Sequence, residues 1–335
     1  MSQIKRAVSL YSLQDSYALG RLDLQGQIDF VASLGAEGIE TIGDQSFQGT
    51  PFPSDETVTA WRRAVDAAGL EMVCNDILLD SALYRNRTLR LPEQVDLLKQ
   101  QLDVSHRLGF PMVRLTSDVS DVVTEAALPH AEKLGVVMTA EIHGGMSFDE
   151  PRAARWVAMM KRLQSEYLGL TIDFGIFCDR HPRLPIDYFL SMGLTPAVAE
   201  KVEELWAANG DFHRVLQANQ HRFPEELSSL FRGPVDFEFC IFAGGYENTP
   251  LEVLDDNIDY IRHFHGKFFE MLPDGTEHSI DVPRILARLN QLGWSGYVAS
   301  EYEGNRFTPI GQDVDDQGQL RAHQELLAAH LNDGK

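Results

Sequence analysis

The residues best suited to chemistry end apolar runs. Val136-Val137-Met138-Thr139-Ala140-Glu141-Ile142-His143 reads as a strand that closes in a carboxylate and an imidazole two positions apart. Strand side chains alternate, so Glu141 and His143 share a face. Similar endings recur downstream. Asp173 closes Leu168–Phe174, and Glu301 closes Gly296–Glu301 with Glu303 two residues beyond. His263, His265 and Lys267 alternate through another apolar run. Charged groups at buried strand ends are costly unless paired, and neighbouring carboxylates raise each other's pKa. A divalent cation removes that conflict. Three carboxylates with an imidazole form a hard, mostly oxygen donor set, suited to Mn2+, Mg2+ or Co2+ rather than to thiolate-bound zinc. Such an ion polarises a carbonyl and stabilises an enediolate.

Each residue alone has a plainer reading. Glu141 can accept a hydrogen bond at a helix N-terminus, Asp173 can cap a loop, and His263 or His265 can be a satisfied core histidine. Glu301 can pair with Arg114 or Arg306. Taken together, polar residues at four consecutive strand ends favour a metal site over four unrelated structural roles.

The elements that must position these groups alternate. Strands are expected at 7–11, 38–42, 70–74, 112–115, 136–143, 168–174, 260–267 and 296–301. Helices are expected at 23–34, 54–68, 92–108, 122–134, 151–167, 282–292 and 319–331. Glycine ends many of these helices before the next strand, for example Gly35, Gly69, Gly109 and Gly135. Eight β/α repeats predict a (β/α)8 TIM barrel over residues 1–335, with catalysis at the C-terminal strand ends. An open doubly wound sheet is the alternative, but no Gly-x-Gly-x-x-Gly follows the first strand. The rhythm breaks at 177–250. This stretch reads as a helical insertion on the catalytic face, with helices at Pro196–Asn209 and Phe212–Ala218 and a further one after Pro250 leading into strand seven.

Composition narrows the partners. The 335 residues are 44% hydrophobic, enough for a full core, and carry a formal net charge of −21. That charge disfavours nucleic acid, anionic membranes and polyphosphate. Cys74, Cys178 and Cys240 form neither a zinc pattern nor a disulfide framework. With no apolar signal region or membrane-length run, a cytoplasmic protein is expected.

At Ala-Glu141-Ile-His, Thr-Ile-Asp173-Phe, His-Phe-His265-Gly-Lys and Ser-Glu301-Tyr-Glu-Gly, the chain resembles the xylose isomerase-like superfamily of sugar isomerases and epimerases. The resemblance runs from Ala7 to Glu303, the insertion excepted, and includes the 279–301 segment. It implies Glu141, Asp173, His265 and Glu301 as metal ligands. Two positions depart from the family pattern. Phe268 stands where Asp is common, and Ile176 where His is common. Both changes are expected to make the mouth more apolar, and Phe177, Tyr188, Phe189, Trp206 and Phe212 of the insertion to add aromatic surface, while each of them alone reads more simply as packing of the inserted helices. The insertion and the Glu-Ile-His run further resemble the larger subunits of bacterial C-glycoside deglycosidases. Those act on 3-oxo C-glucosides with Mn2+ and a smaller partner subunit.

The shared chemistry implied is deprotonation of carbon next to a carbonyl. His143 is the candidate base, since an unperturbed imidazole has a pKa of about 6.5. Lys267, His263 and Glu303 are candidates to assist protonation of a leaving group. Three functions are thus distinguished: a lyase on oxidised glycosides, an epimerase or aldose–ketose isomerase in which Glu141 and Glu301 shuttle protons, and a non-enzymatic metal- or sugar-binding barrel. An oligomer, with or without a smaller subunit, is expected.

Overall fold

The protein, a computed structural model, is described over residues 3–116, 119–146, 148, 150–309 and 311–331. Eight strands form a closed, all-parallel barrel: β1 (Ile4–Ser9), β2 (Gly38–Ile42), β3 (Glu71–Ile77), β4 (Met112–Leu115), β5 (Val137–Ile142), β6 (Leu168–Asp173), β7 (Ile261–Phe268) and β8 (Gly296–Tyr302). Closure comes from β1 against β8, with Ile4 level with Gly296 and Val8 with Ser300. The predicted (β/α)8 barrel is therefore the fold.

Crossover helices cover the sheet: α1 (Leu24–Ser33), α2 (Asp55–Ala68), α3 (Leu91–Leu108), α4 (Asp121–Leu134) and α5 (Pro151–Leu163). Their starts follow local chemistry. Asp23, Ser54 and Ser120 each accept a hydrogen bond from a backbone N–H of the first turn. Gly109 shows why a helix must stop at glycine. Its φ is 101°, and a Cβ there would lie 2.7 Å from the Met72 sulfur. Apolar stripes such as Leu98, Leu102 and Leu108 on α3 seal the outer layer.

Some boundaries moved. β3 runs on to Ile77, which carries Asp76 into the barrel. α5 stops at Leu163 because Gln164 turns left-handed. The helix expected after Pro250 is instead two 3-10 turns, Leu251–Leu254 and Ile258–Tyr260. The insertion contributes α6 (Arg183–Ser191), α7 (Pro196–Asn209), α8 (Phe212–Ala218) and α9 (Pro234–Ala243), followed in the barrel by α10 (Val282–Gln291) and α11 (Asp316–Leu331). Phe177, Phe189, Trp206 and Phe212 are buried in the continuous apolar core, and Tyr188 packs on its edge. They hold the insertion down, as the plainer packing reading has it, rather than lining the mouth. Among the described residues, no helix is long and apolar enough to cross a membrane.

Candidate active site

Barrel register assembles the site. Asp173 lies level with His265, Lys267 with Glu301, and Asp76 with Arg114. Inward-facing residues of β5 to β8 consequently meet at one height. One ligand atom from each of Glu141, Asp173, His265 and Glu301 lies within 4.8 Å of the others. The predicted metal quartet is thus brought together in space.

Positive groups interleave with these carboxylates. The Lys267 ammonium lies 2.7 Å from Asp173, 3.1 Å from Glu301 and 3.2 Å from Glu303. Arg114 donates to Glu141 at 2.7 Å and also to Asp76. His265 Nδ1 is 3.0 Å from Glu141 Oε1 and 3.4 Å from Glu301 Oε2.

Burial and charge then set the protonation. Burial pushes Asp173 up to about 6; Lys267 opposes the effect, and Glu301 and Glu141 add to it. Burial likewise pushes Asp76 up to about 7 against the pull of Arg114. For Glu301, burial is outweighed by Lys267 and His265, which hold its carboxyl at about 2. Burial is also outweighed at Glu141, by Arg114 and His265, so its carboxyl stays well below the usual range. Burial alone would lower Lys267, yet Asp173, Glu301 and Glu303 raise it and keep it cationic.

The residues fit a divalent cation. Asp173 Oδ2 and Glu301 Oε2 are buried without a hydrogen-bond partner, although both lie against the Lys267 ammonium. Three carboxylates converging this closely outnumber the single ammonium between Asp173 and Glu301, and their mutual repulsion is a cost that a divalent cation offsets. The donor set of three carboxylates and one imidazole suits a hard ion.

A cavity of about 450 Å³ opens above this floor. His143 lines it, just past the end of β5. Its Nδ1 donates to the Gly144 carbonyl at 2.8 Å, which leaves Nε2 as the acceptor. The next turn is clamped to the insertion. Gly145 N–H donates to Glu247 at 2.6 Å, and a Cβ on Gly144 would lie 2.3 Å from the Gly245 carbonyl oxygen. Glu303 also lines the cavity, paired with Lys267 and Arg306. His263 does not. It is fully buried one layer below His265 and bonded to Glu40 at 2.7 Å. Period two was read correctly for β7, but a shared face does not mean a shared depth.

The apolar side of the mouth differs from expectation. Phe268 faces outward and stacks on His323 at 4.1 Å, and Ile176 is buried in the core, so neither lines the cavity. The aromatic wall is formed by Phe242 of α9, Tyr246, Phe269 and Phe307. Sequence reading missed Glu40, Asp76 and the pairing of Arg114 with Glu141. The available signal was a lone charge inside an apolar strand, as in Gly38-Ile-Glu40-Thr-Ile42.

The sequence model described as xylose isomerase-like TIM barrel matches residues 28–330. Over 335 residues the chain is 30% identical to the 3'-dehydrocarminate deglycosidase alpha subunit of a Microbacterium species, spanning 97% of this chain and 94% of that protein. A C-glycoside deglycosidase alpha subunit of Arthrobacter globiformis is 29% identical over 310 residues, 89% of this chain and 84% of that one. Among solved structures, D-psicose 3-epimerase from Clostridium cellulolyticum H10 superposes with a TM-score of 0.57 at 14% identity, covering 97% of this chain and 98% of that chain. An L-ribulose 3-epimerase gives 0.54 at 13% identity, covering 99% and 95%. At those identities the two structures speak to the fold alone. The family model spans most of the barrel and its four strand-end motifs, and the chain belongs to the xylose isomerase-like TIM-barrel family.

Proposed function

We propose that this chain is the catalytic subunit of a divalent-metal-dependent deglycosidase that cleaves 3-oxo-glycosides, C-glycosides above all, by elimination. One observation carries the reading: a charged floor of metal-ligand type lies beneath an aromatic wall, in a cavity of about 450 Å³. That volume falls within the range of small-molecule sites. A sugar ring suits the floor, and a phenolic aglycone suits Phe242, Tyr246, Phe269 and Phe307. The relatives named as deglycosidase alpha subunits support the same assignment.

In a 3-oxo-glycoside, carbon 2 lies beside the carbonyl and carries an acidified hydrogen. Nε2 of His143 takes that proton, and the C–H electron pair moves toward the carbonyl. Glu141, Asp173, His265 and Glu301 would hold a divalent cation, which when bound would supply Lewis-acid stabilisation of the developing charge. The pair then returns to form the carbon 1–carbon 2 double bond as the bond from carbon 1 to the aglycone breaks. The aglycone carbon or oxygen keeps those electrons and takes a proton. Lys267, a cation ion-paired with three carboxylates, is the proposed donor to that group, with Glu303 beside it.

Glu141 and Glu301 in one site also support a two-carboxylate epimerase or isomerase. The substrate decides between them. Incubation with a 3-oxo C-glucoside, with and without chelator, should release aglycone only when the ion is present. Interconversion of free ketohexoses without aglycone release, in the presence of a smaller subunit, would favour the epimerase. Such a subunit suits the exposed Phe237 and Ile241 on α9, one turn apart and beside the cavity wall. Chelator-resistant turnover would exclude the metal account.

A further inference from the structure

Beneath the candidate metal quartet lies a second polar layer. Glu40 of β2 is fully buried, in a strand with no other charge. Its carboxylate meets two imidazoles, His263 Nε2 at 2.7 Å and His265 Nε2 at 3.2 Å. The two rings stand perpendicular, with centroids 5.5 Å apart. An ionised carboxylate only accepts hydrogen bonds, so both rings present Nε2–H to it. His265 therefore turns its other nitrogen, Nδ1, toward Glu141 and Glu301. His263 Nδ1 is buried without a hydrogen-bond partner, so the bond to Glu40 is what fixes that ring.

We propose that Glu40 is a positioning residue for the metal centre, clamped by His263, that fixes the rotation and tautomer of His265 so that Nδ1 is the ligand atom. The inference rests on the metal reading proposed above. It gives His263 and Glu40 a role without placing either in the cavity. A ligating histidine whose distal N–H is held by a carboxylate is a better and more rigid donor, and loss of such a partner weakens metal binding by about 10–100-fold. His263 holds the Glu40 carboxylate at 2.7 Å, so its own effect on the ion is indirect.

The test is a Mn2+ titration followed by the EPR signal of free Mn2+, on the wild-type chain, E40Q, and L102A as a control. Leu102 is buried on α3 in the outer layer, so L102A destabilises the barrel without reaching the centre. E40Q is expected to bind Mn2+ about 10–100-fold more weakly, with L102A unchanged. No Mn2+ binding by the wild-type chain would remove the metal reading itself. Wild-type binding matched within twofold by E40Q would overturn this inference alone, as would equal weakening in L102A at a similar loss of melting temperature. A second measurement covers an E40Q chain that does not fold: nitrogen-15 histidine correlation spectra of the Zn2+-loaded wild type. They should show Nε2 of His265 protonated and Nδ1 ligated, and the reverse assignment refutes the proposal.

Discussion

Removing Arg114 should separate charge compensation from packing in this barrel. Arg114 is 7% exposed, and its guanidinium bonds both Asp76 and Glu141. In Arg114→Met the volume is largely kept, but two buried carboxylates lose their shared cation. Breaking a buried pair from one side costs about 3–5 kcal/mol. With an unfolding entropy of about 2.1 cal/mol/K per residue, that corresponds to a melting temperature about 4–7 °C lower. Two conditions should shrink the deficit. Saturating Mn2+ replaces part of the missing positive charge at Glu141. Lower pH protonates Asp76, whose carboxyl burial already pushes up to about 7 with Arg114 in place and which titrates higher still without it, above its unfolded value, so stability returns as pH falls. Scanning fluorimetry of wild type and variant at pH 7.5 and 5.5, with chelator or Mn2+, reads all four combinations. A variant melting within 1 °C of wild type in chelator at pH 7.5 would refute the view that Arg114 compensates buried charge. A deficit unaffected by both Mn2+ and pH would assign the loss to packing.

Other perturbations probe separate parts. His143→Asn should reduce turnover about 10²–10⁴-fold with Mn2+ affinity and melting temperature unchanged, and a variant keeping a tenth of wild-type turnover would move the base elsewhere. Burial holds His181 down to about 4 and His323 to about 3, so the unfolded chain binds protons at a higher pH than the folded one. Their contribution is complete above about pH 6.5 and is lost as pH falls toward those values, about 2 kcal/mol each by pH 5. His323→Phe should show a smaller loss than wild type in urea titrations at pH 7 and 5, and identical losses would contradict the assignment. Phe237→Asp with Ile241→Asp should abolish co-purification with a smaller subunit while leaving Mn2+ affinity intact, and unchanged co-purification would place the interface elsewhere.

Strand and helix order was legible because it rests on local rules. Caps at Asp23 and Ser54, stops at Gly69 and Gly109, and apolar periodicity on α3 each act within a turn. Period two and the C-terminal strand ends narrowed the candidates to a short list of facing residues, and the family resemblance, not spacing, singled out Glu141, Asp173, His265 and Glu301 from it. Depth was not legible. His263 and His265 differ by one layer, and only the stagger of β7 against β6 and β8 assigns one to a buried clamp and the other to the floor. The aromatic wall was hidden for a related reason. Phe189 and Phe242 are both aromatics of inserted helices, yet Phe189 is 2% and Phe242 37% exposed. Which one reaches the cavity depends on how α6 and α9 pack, as their ring contact at 5.5 Å shows.

That packing ties the insertion to the chemistry through a narrow contact. Gly244 follows α9, the carbonyl of Gly245 lies where a Gly144 side chain would be, and Glu247 holds the Gly145 N–H. The Gly144 carbonyl in turn accepts from His143 and fixes which nitrogen faces the cavity. The tautomer of the candidate base thus depends on a loop held by the insertion, while the tautomer of His265 depends on Glu40 in the barrel floor. A movement of α9 would therefore disturb His143, the proposed base, before it disturbs the candidate metal ligands. Variation in the insertion should alter turnover while metal affinity stays constant, and substitutions in the second polar layer should do the opposite.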